Sequence, residues 1–330
     1  MSELYDITII GGGPAGLFTA FYAGMRKAKT KIIESLSLLG GQPQLLYPEK
    51  NIYDIAGFPS VTGQELTSSL VEQISIFDPT ICLNEEVLTY EKTDQGHFSI
   101  TTNKGQHLTK TVIIAAGAGA FHHRKLNIKG AEQYEGGSLQ YIVGPFESYK
   151  DKKVVINGGG DSAVDWALAL NGHAKKVTLC HRRDKFRALD YSVEQLFASD
   201  VNIMTPYEPS ELHGNGEQLE AITFQKRRED EKIKLEADVF IVNYGFQTSL
   251  GELETWPLEM TREGIVVNEK METTVPGIYA VGDVACHDGK VKLIATGFGE
   301  APTAVSHAIH YIRPEERIQP QQSTKLNLGE

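Results

Sequence analysis

Residues Tyr5 to Gly16 read YDITIIGGGPAG: a β-branched apolar run ends in a Gly-x-Gly-x-x-Gly loop, and an alanine-rich segment follows as far as Met25. A strand before such a loop and a helix after it are the setting in which this pattern binds a dinucleotide. In that setting Gly11 makes the tight turn, Gly13 lets the backbone approach a pyrophosphate, and Gly16 lets the helix pack closely on the strand. The stretch therefore predicts a strand–loop–helix unit that opens an α/β fold.

The same order of elements recurs in mid-chain, where residues Lys153 to Ala163 read KVVINGGGDSA and residues 164–170 continue with helical character. Alanine stands in place of the third glycine, a replacement that the dinucleotide pattern tolerates. Two such loops predict two bound dinucleotides. The usual reason for two in one chain is a flavin and a nicotinamide that exchange a hydride.

The strand after each loop ends in side chains of opposite charge. The first ends in Glu34, at the position where a carboxylate accepts hydrogen bonds from ribose hydroxyls. The second is followed by a basic set: His181, Arg182, Arg183 and Arg187. A carboxylate there would favour NAD, whereas guanidinium groups suit the additional 2′-phosphate of NADP. We therefore expect NADP at the second loop.

Composition excludes several classes of protein. With 32 basic and 43 acidic residues the net charge is −11, which argues against a general nucleic-acid binder because phosphate contacts need a basic surface. No apolar run approaches the roughly 18 residues of a membrane span, and the acidic N-terminus lacks the basic start of a signal peptide. Cys82, Cys180 and Cys286 show neither a CxxC nor metal-ligand spacing. These features predict a cytoplasmic protein that binds neither nucleic acid nor membrane.

Each half of the chain continues with the same kind of strands. Residues 85–108 and 219–235 are divided by turn residues into short runs that are typical of a β-meander. Each meander leads into a buried apolar strand, at residues 111–118 and 237–245. The repeated order of elements indicates an internal duplication of one nucleotide-binding plan.

A later strand ends in Gly282-Asp283 and resembles the second flavin motif of flavoproteins with two dinucleotides, in which the aspartate holds the ribityl or phosphate region. That motif predicts that residues 1–118 and 247–330 form one FAD domain. Residues 119–246 are then expected to be an inserted NADP domain. The predicted fold class is α/β, with two Rossmann-like domains that each have three layers in the order β, β, α.

The two loops, the segment from His181 to Ala188 and Gly282-Asp283 resemble the low-molecular-weight thioredoxin reductases, a branch of the glutathione reductase-like FAD/NAD(P)-binding flavoproteins. A thioredoxin reductase of this branch carries a redox CxxC shortly before its second glycine loop, whereas residues 139–146 here contain no cysteine. Without a dithiol, electrons on the flavin have no relay into a disulfide substrate. The chain further resembles a CxxC-free group of this architecture, the thioredoxin reductase-like ferredoxin–NADP reductases, in segments such as Gly40–Gln42 and 297–302.

Resemblance to that group implies FAD held by residues from the first and last thirds of the chain. These are Gly11, Gly13, Pro14, Gly16, Glu34, Gln42, Tyr47, Val87, Phe121, Asp283 and Thr324. Tyr47 is expected to stack on one face of the isoalloxazine ring, with Gln42 nearby. Val87 is expected to meet the adenine through its backbone, and Phe121 to line the flavin cavity.

The C-terminal region is interpreted by the same resemblance. Residues 297–302 are expected to precede a helix from Thr303 to Tyr311, whose N-terminus would face the flavin. Relatives often place a ring-bearing residue of their C-terminal extension over the second flavin face. Gln322 stands at the matching place and does not stack as a ring does, so we expect a hydroxyl contact from Thr324 instead.

The resemblance also implies an NADP site on the second loop. Its residues are Gly158, Gly160, Asp161, Ser162, His181, Arg182, Arg183 and Arg187. A hydride would pass from NADPH to flavin N5, and single electrons would pass from the flavin to a carrier protein. Because the cofactor carries this chemistry, no protein nucleophile or metal is expected, and the pair His122-His123 is not interpreted as a metal site.

The implied partner is ferredoxin or flavodoxin, and the branch implies a homodimer. Such carriers are usually acidic, so a chain of this charge needs a local basic patch, for which residues 124–125, 150–153 and 226–228 are candidates. Three hypotheses stay open. The first is a ferredoxin–NADP reductase, the second an NADPH-dependent flavin, quinone or iron-chelate reductase, and the third a flavin-binding redox sensor with little turnover.

Overall fold

The computed structural model describes residues 3–319 and 323–325, with side chains described except at residues 120–123, 246–248 and 325. The chain divides into two compact units. The first comprises the residues up to Phe121 and those from Thr248 onward, and the second runs from His122 to Gln247. None of the helices in the described ranges combines the length and the apolar character that crossing a membrane requires.

The described residues contain helices, strands and short 3₁₀ turns. The helices are α1 (Pro14–Met25), α2 (Gly41–Leu46), α3 (Gly63–Ser75), α4 (Asp161–Leu170), α5 (Asp190–Phe197) and α6 (Ile294–Ile312). The first strands are β1 (Leu4–Ile10), β2 (Thr30–Ile33), β3 (Asn51–Ile52), β4 (Val61–Thr62), β5 (Thr80–Cys82), β6 (Val87–Lys92), β7 (Phe98–Thr102), β8 (Gln106–Ile114), β9 (Ala120–His123), β10 (Leu139–Gln140) and β11 (Lys153–Gly158). The later strands are β12 (Lys176–Cys180), β13 (Asn202–Met204), β14 (Tyr207–Gly214), β15 (Leu219–Lys226), β16 (Lys232–Glu236), β17 (Val239–Asn243), β18 (Phe246–Ser249), β19 (Met260–Thr261), β20 (Gly264–Val266), β21 (Ile278–Ala280) and β22 (Ala285–Cys286). The 3₁₀ turns are Ala131–Tyr134, Phe146–Tyr149, Gly251–Thr255, Gly282–Val284 and Ser323–Lys325.

The main sheet of the first unit has the strand order β5-β2-β1-β8-β7-β6, and β21 also pairs with β8. Strands β1, β2, β5, β8 and β21 are parallel, whereas β7 is antiparallel to β6 and β8. Helix α1 packs against α3 and α6. The carboxyl ends of parallel strands meet at one edge of a sheet, where open α/β folds bind ligands. That edge carries the loop after β1, Glu34 after β2, Ala115 after β8 and Gly282 after β21.

The second unit has a parallel sheet of order β10-β17-β11-β12-β13 and a separate antiparallel meander, β14-β15-β16. Side chains alternate along β11: Val154 and Ile156 pack in one core with α4, and Val155 packs in a second core with Phe224 of the meander. Period-two alternation places the two sets on opposite faces. Helix, sheet and meander are therefore the three layers of this unit, and the predicted α/β class with Rossmann-like ββα units is confirmed.

Two of the expected element bounds are wrong. Residues 106–114 form one continuous strand, β8, which pairs with the meander at its start and with β1 further on, and which ends at Ile114. Helix α6 begins at Ile294 and already contains residues 297–302. Glycine and proline have low helix propensity, but tertiary packing keeps residues 297–302 helical. A Cβ on Gly297 would lie 3.1 Å from Ala15 Cβ and 3.3 Å from Gly282 Cα, so glycine lets α6 approach both neighbours.

Candidate cofactor sites

The first glycine loop is fixed by contacts with its own fold. Gly11 has a φ of +106°, and a Cβ there would lie 2.5 Å from Ala115 O. A Cβ on Gly16 would lie 2.0 Å from Gly11 O, whereas a Cβ on Gly13 would meet only Gly41 Cα, at 3.8 Å. The fold thus requires glycine at Gly11 and Gly16 but not at Gly13. A glycine that the packing does not require agrees with a place kept free for a ligand, and Pro14 follows it as the first residue of α1.

Glu34 is buried and bonded to the loop that precedes it. Its Oε2 accepts a hydrogen bond of 2.6 Å from Gly12 N, and its Oε1 accepts one of 2.9 Å from Leu36 N. The carboxylate therefore lies beside the middle glycine of the loop, where the sequence predicted a ribose acceptor. Oε1 also accepts a hydrogen bond of 3.2 Å from Ser35 Oγ, whereas Oε2 accepts only the one from Gly12 N among the described residues. A carboxylate oxygen can accept two bonds, so Oε2 keeps capacity for a ribose hydroxyl.

The starts of α1 and α6 lie close to the turn after β21. A Cβ on Gly282 would lie 3.0 Å from Ala15 Cβ, and Gly297 is equally close to Ala15. Helices α1 and α6 have 12 and 19 residues, so the free N–H groups and positive dipole ends of two long helices meet beside Asp283. Such ends favour phosphate and other anions, and these contacts fit a dinucleotide phosphate.

A cavity of about 470 Å³ lies in the first unit and is lined by residues including Tyr47, Asp54, Asp283 and Ile294. Its volume falls in the range of small-molecule sites. Burial raises the pKa of the Tyr47 hydroxyl, and the charges of Asp283 and Asp54 raise it further, so Tyr47 stays a neutral ring. The structure thus brings two of the predicted FAD residues, Tyr47 and Asp283, to one cavity with the start of α6.

Gln42 does not line this cavity but lies beside the segment after β8, because its Nε2 is 3.6 Å from the position that a Cβ on Gly117 would take. Val87 is buried at the start of β6. Thr324 is exposed in a 3₁₀ turn and does not line the cavity. Phe121 and Gln322 were also singled out by sequence, but the Phe121 side chain and all of Gln322 lie outside the described residues.

A buried ion pair that the sequence did not predict holds the turn that carries Asp283. Glu300 Oε2 accepts a hydrogen bond of 2.8 Å from Gly282 N, and Lys290 Nζ donates one of 2.9 Å to Gly282 O. Lys290 and Glu300 also contact each other, and their side chains are 6% and 7% exposed. His287 Nε2 lies 3.2 Å from Glu300 Oε1. The sequence signal for this pair is Glu300, the single acidic residue of helix α6, which is otherwise rich in small and apolar residues.

The second loop repeats the plan of the first with other neighbours. A Cβ on Gly158 would lie 2.6 Å from Asn243 O, while a Cβ on Gly160 would meet only Arg187 O, at 3.9 Å. Gly160 is the extended N-cap residue of α4, and Asp161 Oδ1 accepts a hydrogen bond of 2.9 Å from Leu189 N. The side of Gly160 on which a Cβ would stand is therefore free, as at Gly13, although Arg187 N donates to the neighbouring Gly159 O at 2.6 Å. Exposed Ser162 follows in the first turn of α4.

His181 lies where Glu34 lies in the first unit. It is buried, it stacks on Phe186 with ring centroids 5.4 Å apart, and a Cβ on Gly159 would lie 2.1 Å from its Cε1. Burial lowers the pKa of His181, and the charges of Arg182 and Arg183 lower it further. Among the described residues, its Nε2 and Asn243 Oδ1 have no hydrogen-bond partner. Buried polar atoms without partners are costly, and a bound ligand could satisfy them.

The arginines beyond His181 are not neutralised by acids of the described chain. No described carboxylate forms an ion pair with Arg182, Arg183 or Arg187 within 4.0 Å. The pKa of Arg183 is lowered by the nearby charge of Arg187, and also by Arg182 and Arg227. Unpaired like charges repel one another, so this surface is suited to an anionic ligand such as a phosphate.

One further cluster has the donors of a metal site. Cys82, Glu85 and His107 place their ligand atoms within 4.8 Å of one another, although the spacing in sequence did not predict it. His107 Nε2 lies 2.6 Å from Glu85 Oε1, and Lys31 Nζ lies 2.7 Å from His107 Nδ1. Thr102 Oγ1 also donates to Glu85 Oε1, at 2.6 Å. These bonds occupy Glu85 Oε1 and both imidazole nitrogens of His107, and we interpret the cluster as a hydrogen-bond network rather than a metal site.

Comparison with known proteins shows that the sequence and the fold of this chain are similar to those of flavoproteins. The family model described as pyridine nucleotide-disulphide oxidoreductase matches residues 5–308. A curated relative from Halalkalibacterium halodurans, named ferredoxin–NADP reductase, is 56% identical over 98% of both chains. One of that name from Streptococcus pneumoniae is 56% identical over 99% of this chain and all of its own. Among solved structures, thioredoxin reductase from Lactococcus lactis has a TM-score of 0.74 and 27% identity, covering 94% of this chain and 99% of its own.

Proposed function

The chain belongs to the pyridine nucleotide-disulphide oxidoreductase family, and from that premise we propose that it is a ferredoxin–NADP reductase. The observation that carries the proposal is 54–56% identity over at least 98% of the chain with curated relatives of that name. The solved thioredoxin reductases share the architecture at 27% identity, so architecture alone does not separate the two activities. The sequence separates them, because it contains no CxxC to relay electrons into a disulfide.

FAD and NADP are the cofactors of this reaction. FAD, when bound, supplies the ability to accept a hydride from NADPH and to release electrons one at a time. We propose that Glu34 and the first glycine loop hold its adenosine and phosphates. Tyr47 then covers the ring and excludes water, because a tyrosine face is large and apolar, and Asp283 orients the adjoining chain.

NADPH is proposed to bind the second glycine loop, with Arg182, Arg183 and Arg187 on its 2′-phosphate. A guanidinium can donate two parallel hydrogen bonds to a phosphate. The absence of described acid partners for these arginines supports the assignment. Gly160 and the start of α4 would hold the pyrophosphate of the same ligand.

The partner is ferredoxin, the carrier in the relatives' names. Flavodoxin as a second partner, a homodimer and a cytoplasmic location are proposals that follow from the resemblance and from the free state of Cys82, Cys180 and Cys286. We also propose that residues 119–246 act as an inserted NADP domain that moves as a hinged body. The division into two compact units supports that proposal.

The test begins with the purified protein. Its flavin is released and identified, and the holoenzyme is titrated with NADPH in the absence of oxygen. We expect FAD, loss of the flavin absorbance with one equivalent of NADPH, and faster turnover with ferredoxin than with free flavin, a quinone or an iron chelate. A colourless protein that does not take up FAD would overturn the proposal, and a preference for the small acceptors would favour the second hypothesis instead.

A further inference from the structure

We propose that Arg227 is a fourth guanidinium of the NADP 2′-phosphate site and helps to set the preference for NADPH over NADH. This inference rests on the proposed function, because it assumes that the second loop binds NADP. Arg227 lies outside the segment from His181 to Ala188 that carries the resemblance. In the sequence it belongs to the basic run 226–228, one of the candidate patches for a carrier protein.

Backbone hydrogen bonds bring Arg227 to the end of β12. Tyr207 N donates to His181 O at 3.0 Å, and Arg227 N donates to Pro206 O at 2.9 Å. Strand β14 therefore starts directly beside His181, and the end of β15 lies directly beside the start of β14. This ladder places Arg227 one strand away from the two arginines that follow His181.

The side chain of Arg227 is available to a ligand. It is 40% exposed, and its Nε lies 3.9 Å from Glu208 Oε1, which is a long contact between exposed groups and of little value to stability. No other ion pair or hydrogen bond of this side chain occurs among the described residues. Its charge is close enough to Arg183 to contribute to the lowered pKa of that guanidinium.

The neighbours of Arg227 in the sequence behave differently. Lys226 is paired with two acids, because its Nζ lies 3.0 Å from Glu229 and 3.3 Å from Glu231. Arg228 has a φ of +68°, is exposed, and is not among the charges that act on Arg183. Of the three, only Arg227 has a charge that acts on Arg183, which makes Arg228 a matched control.

Among the described residues these four guanidinium groups have a single acid partner, Glu208 at 3.9 Å from Arg227, so their positive charge is largely unbalanced although the chain has a net charge of −11. A phosphate dianion balances such a cluster and accepts several charge-assisted hydrogen bonds at once. The 2′-phosphate is the group that distinguishes NADP from NAD. Arg227 should therefore act on NADPH and leave NADH unaffected.

The test uses the holoenzyme and two probes, 2′,5′-ADP, which carries the 2′-phosphate, and 5′-AMP, which lacks it. For Arg227→Gln we expect binding of 2′,5′-ADP to weaken about tenfold, the lower range for a hydrogen bond to a charged group, with binding of 5′-AMP unchanged. kcat/KM for NADPH with ferricyanide as acceptor should fall by the same factor, and that for NADH should not. Arg228→Gln should bind 2′,5′-ADP as the unaltered protein does. Arg227→Lys should weaken that binding, but less than Arg227→Gln does.

Two further variants decide the interpretation. Glu208→Gln removes the contact to Arg227 and should not weaken 2′,5′-ADP, whereas a weakening equal to that of Arg227→Gln would show that only the surface ion pair matters and would overturn the inference. Unchanged binding in Arg227→Gln, with a large loss in Arg182→Gln/Arg183→Gln, would also overturn it and leave the proposed function intact. If the unaltered protein binds the two probes equally, the NADP assignment fails and the inference fails with it.

Discussion

The two glycine loops follow one plan, but the side chain that faces the middle glycine differs. In the first unit Gly12 N donates to Glu34 Oε2 at 2.6 Å. In the second unit the ring of His181 takes that place, within 2.1 Å of a Cβ on Gly159. Glu34 is bonded to its own loop, whereas His181 Nε2 has no partner among the described residues. One scaffold therefore carries an acid that its own loop partly satisfies and, in the second unit, a basic surface without acid partners for Arg182, Arg183 and Arg187 among the described residues.

The largest difference between the two loops is expected at the last position of the Gly-x-Gly-x-x-Gly pattern, which is Gly16 in the first loop and Ala163 in the second. A Cβ on Gly16 would lie 2.0 Å from Gly11 O, and backbone atoms cannot yield as a flexible side chain does. We expect Gly16→Ala to lower the free energy of unfolding by more than about 3 kcal/mol and to abolish FAD binding, as measured by urea unfolding and flavin content.

The matched change in the second loop is Ala163→Gly. This position already tolerates a Cβ, so we expect a loss of about 1 kcal/mol or less and normal FAD content. Retention of FAD by Gly16→Ala would contradict the packing argument for the first loop.

The next largest effect is expected at the buried pair beside Asp283. Lys290→Met leaves Glu300 buried and without its cation, and should lower the free energy of unfolding by about 3 kcal/mol. The double variant Lys290→Met/Glu300→Gln should recover part of this loss, because the unpaired charge is gone. Lys292→Met is the control, since Lys292 is exposed and, among the described residues, its one hydrogen bond goes to Glu263 O. A double variant less stable than Lys290→Met would contradict the ion-pair interpretation.

Removing arginines from the second unit should alter selectivity rather than stability. Arg182→Gln/Arg183→Gln deletes two phosphate donors, and we expect the ratio of kcat/KM for NADPH to that for NADH to fall about 100-fold. The flavin content should be unchanged, because the first unit is untouched. An unaltered ratio would remove the NADP assignment that distinguishes the two loops.

The smallest effect concerns pH. Burial holds the pKa of His181 below its usual value of 6.5, so the unfolded chain binds a proton at a higher pH than the folded one. The stability that neutral His181 contributes is therefore present above about pH 6.5 and is lost as the pH falls through the lowered pKa. His181→Gln should show a shallower fall in the free energy of unfolding below pH 6.5 than the unaltered protein. Part of the dependence should remain, because burial lowers the pKa of His307 as well.

Much of the fold could be predicted from sequence, because the local sequence patterns favour the same elements that tertiary packing requires. Apolar runs at β1 and β11 end in glycine loops that the structure requires at Gly11, Gly16 and Gly158. The start of α6 could not be predicted, because Gly297 and Pro302 disfavour a helix locally and only packing against Ala15 and Gly282 overrides them.

The site residues also divide into those that a local sequence pattern predicts and those that only long-range contacts bring into place. Glu34 and the arginines after His181 follow their strands directly, so their positions could be predicted. The contacts of Lys290 and Glu300 with Gly282 join residues that are 8 and 18 positions apart from it. Arg227 is brought to His181 by pairing of β14 and β15. No local pattern encodes such contacts.

In the proposed function, electrons leave the flavin directly for ferredoxin, without a sulfur relay. The most direct measurement mixes the enzyme, reduced with one equivalent of NADPH in the absence of oxygen, with excess oxidised ferredoxin and, separately, with a disulfide such as oxidised thioredoxin. We predict that each enzyme-bound FAD reduces two ferredoxins and no disulfide. Reduction of the disulfide with ferredoxin left oxidised would contradict the account.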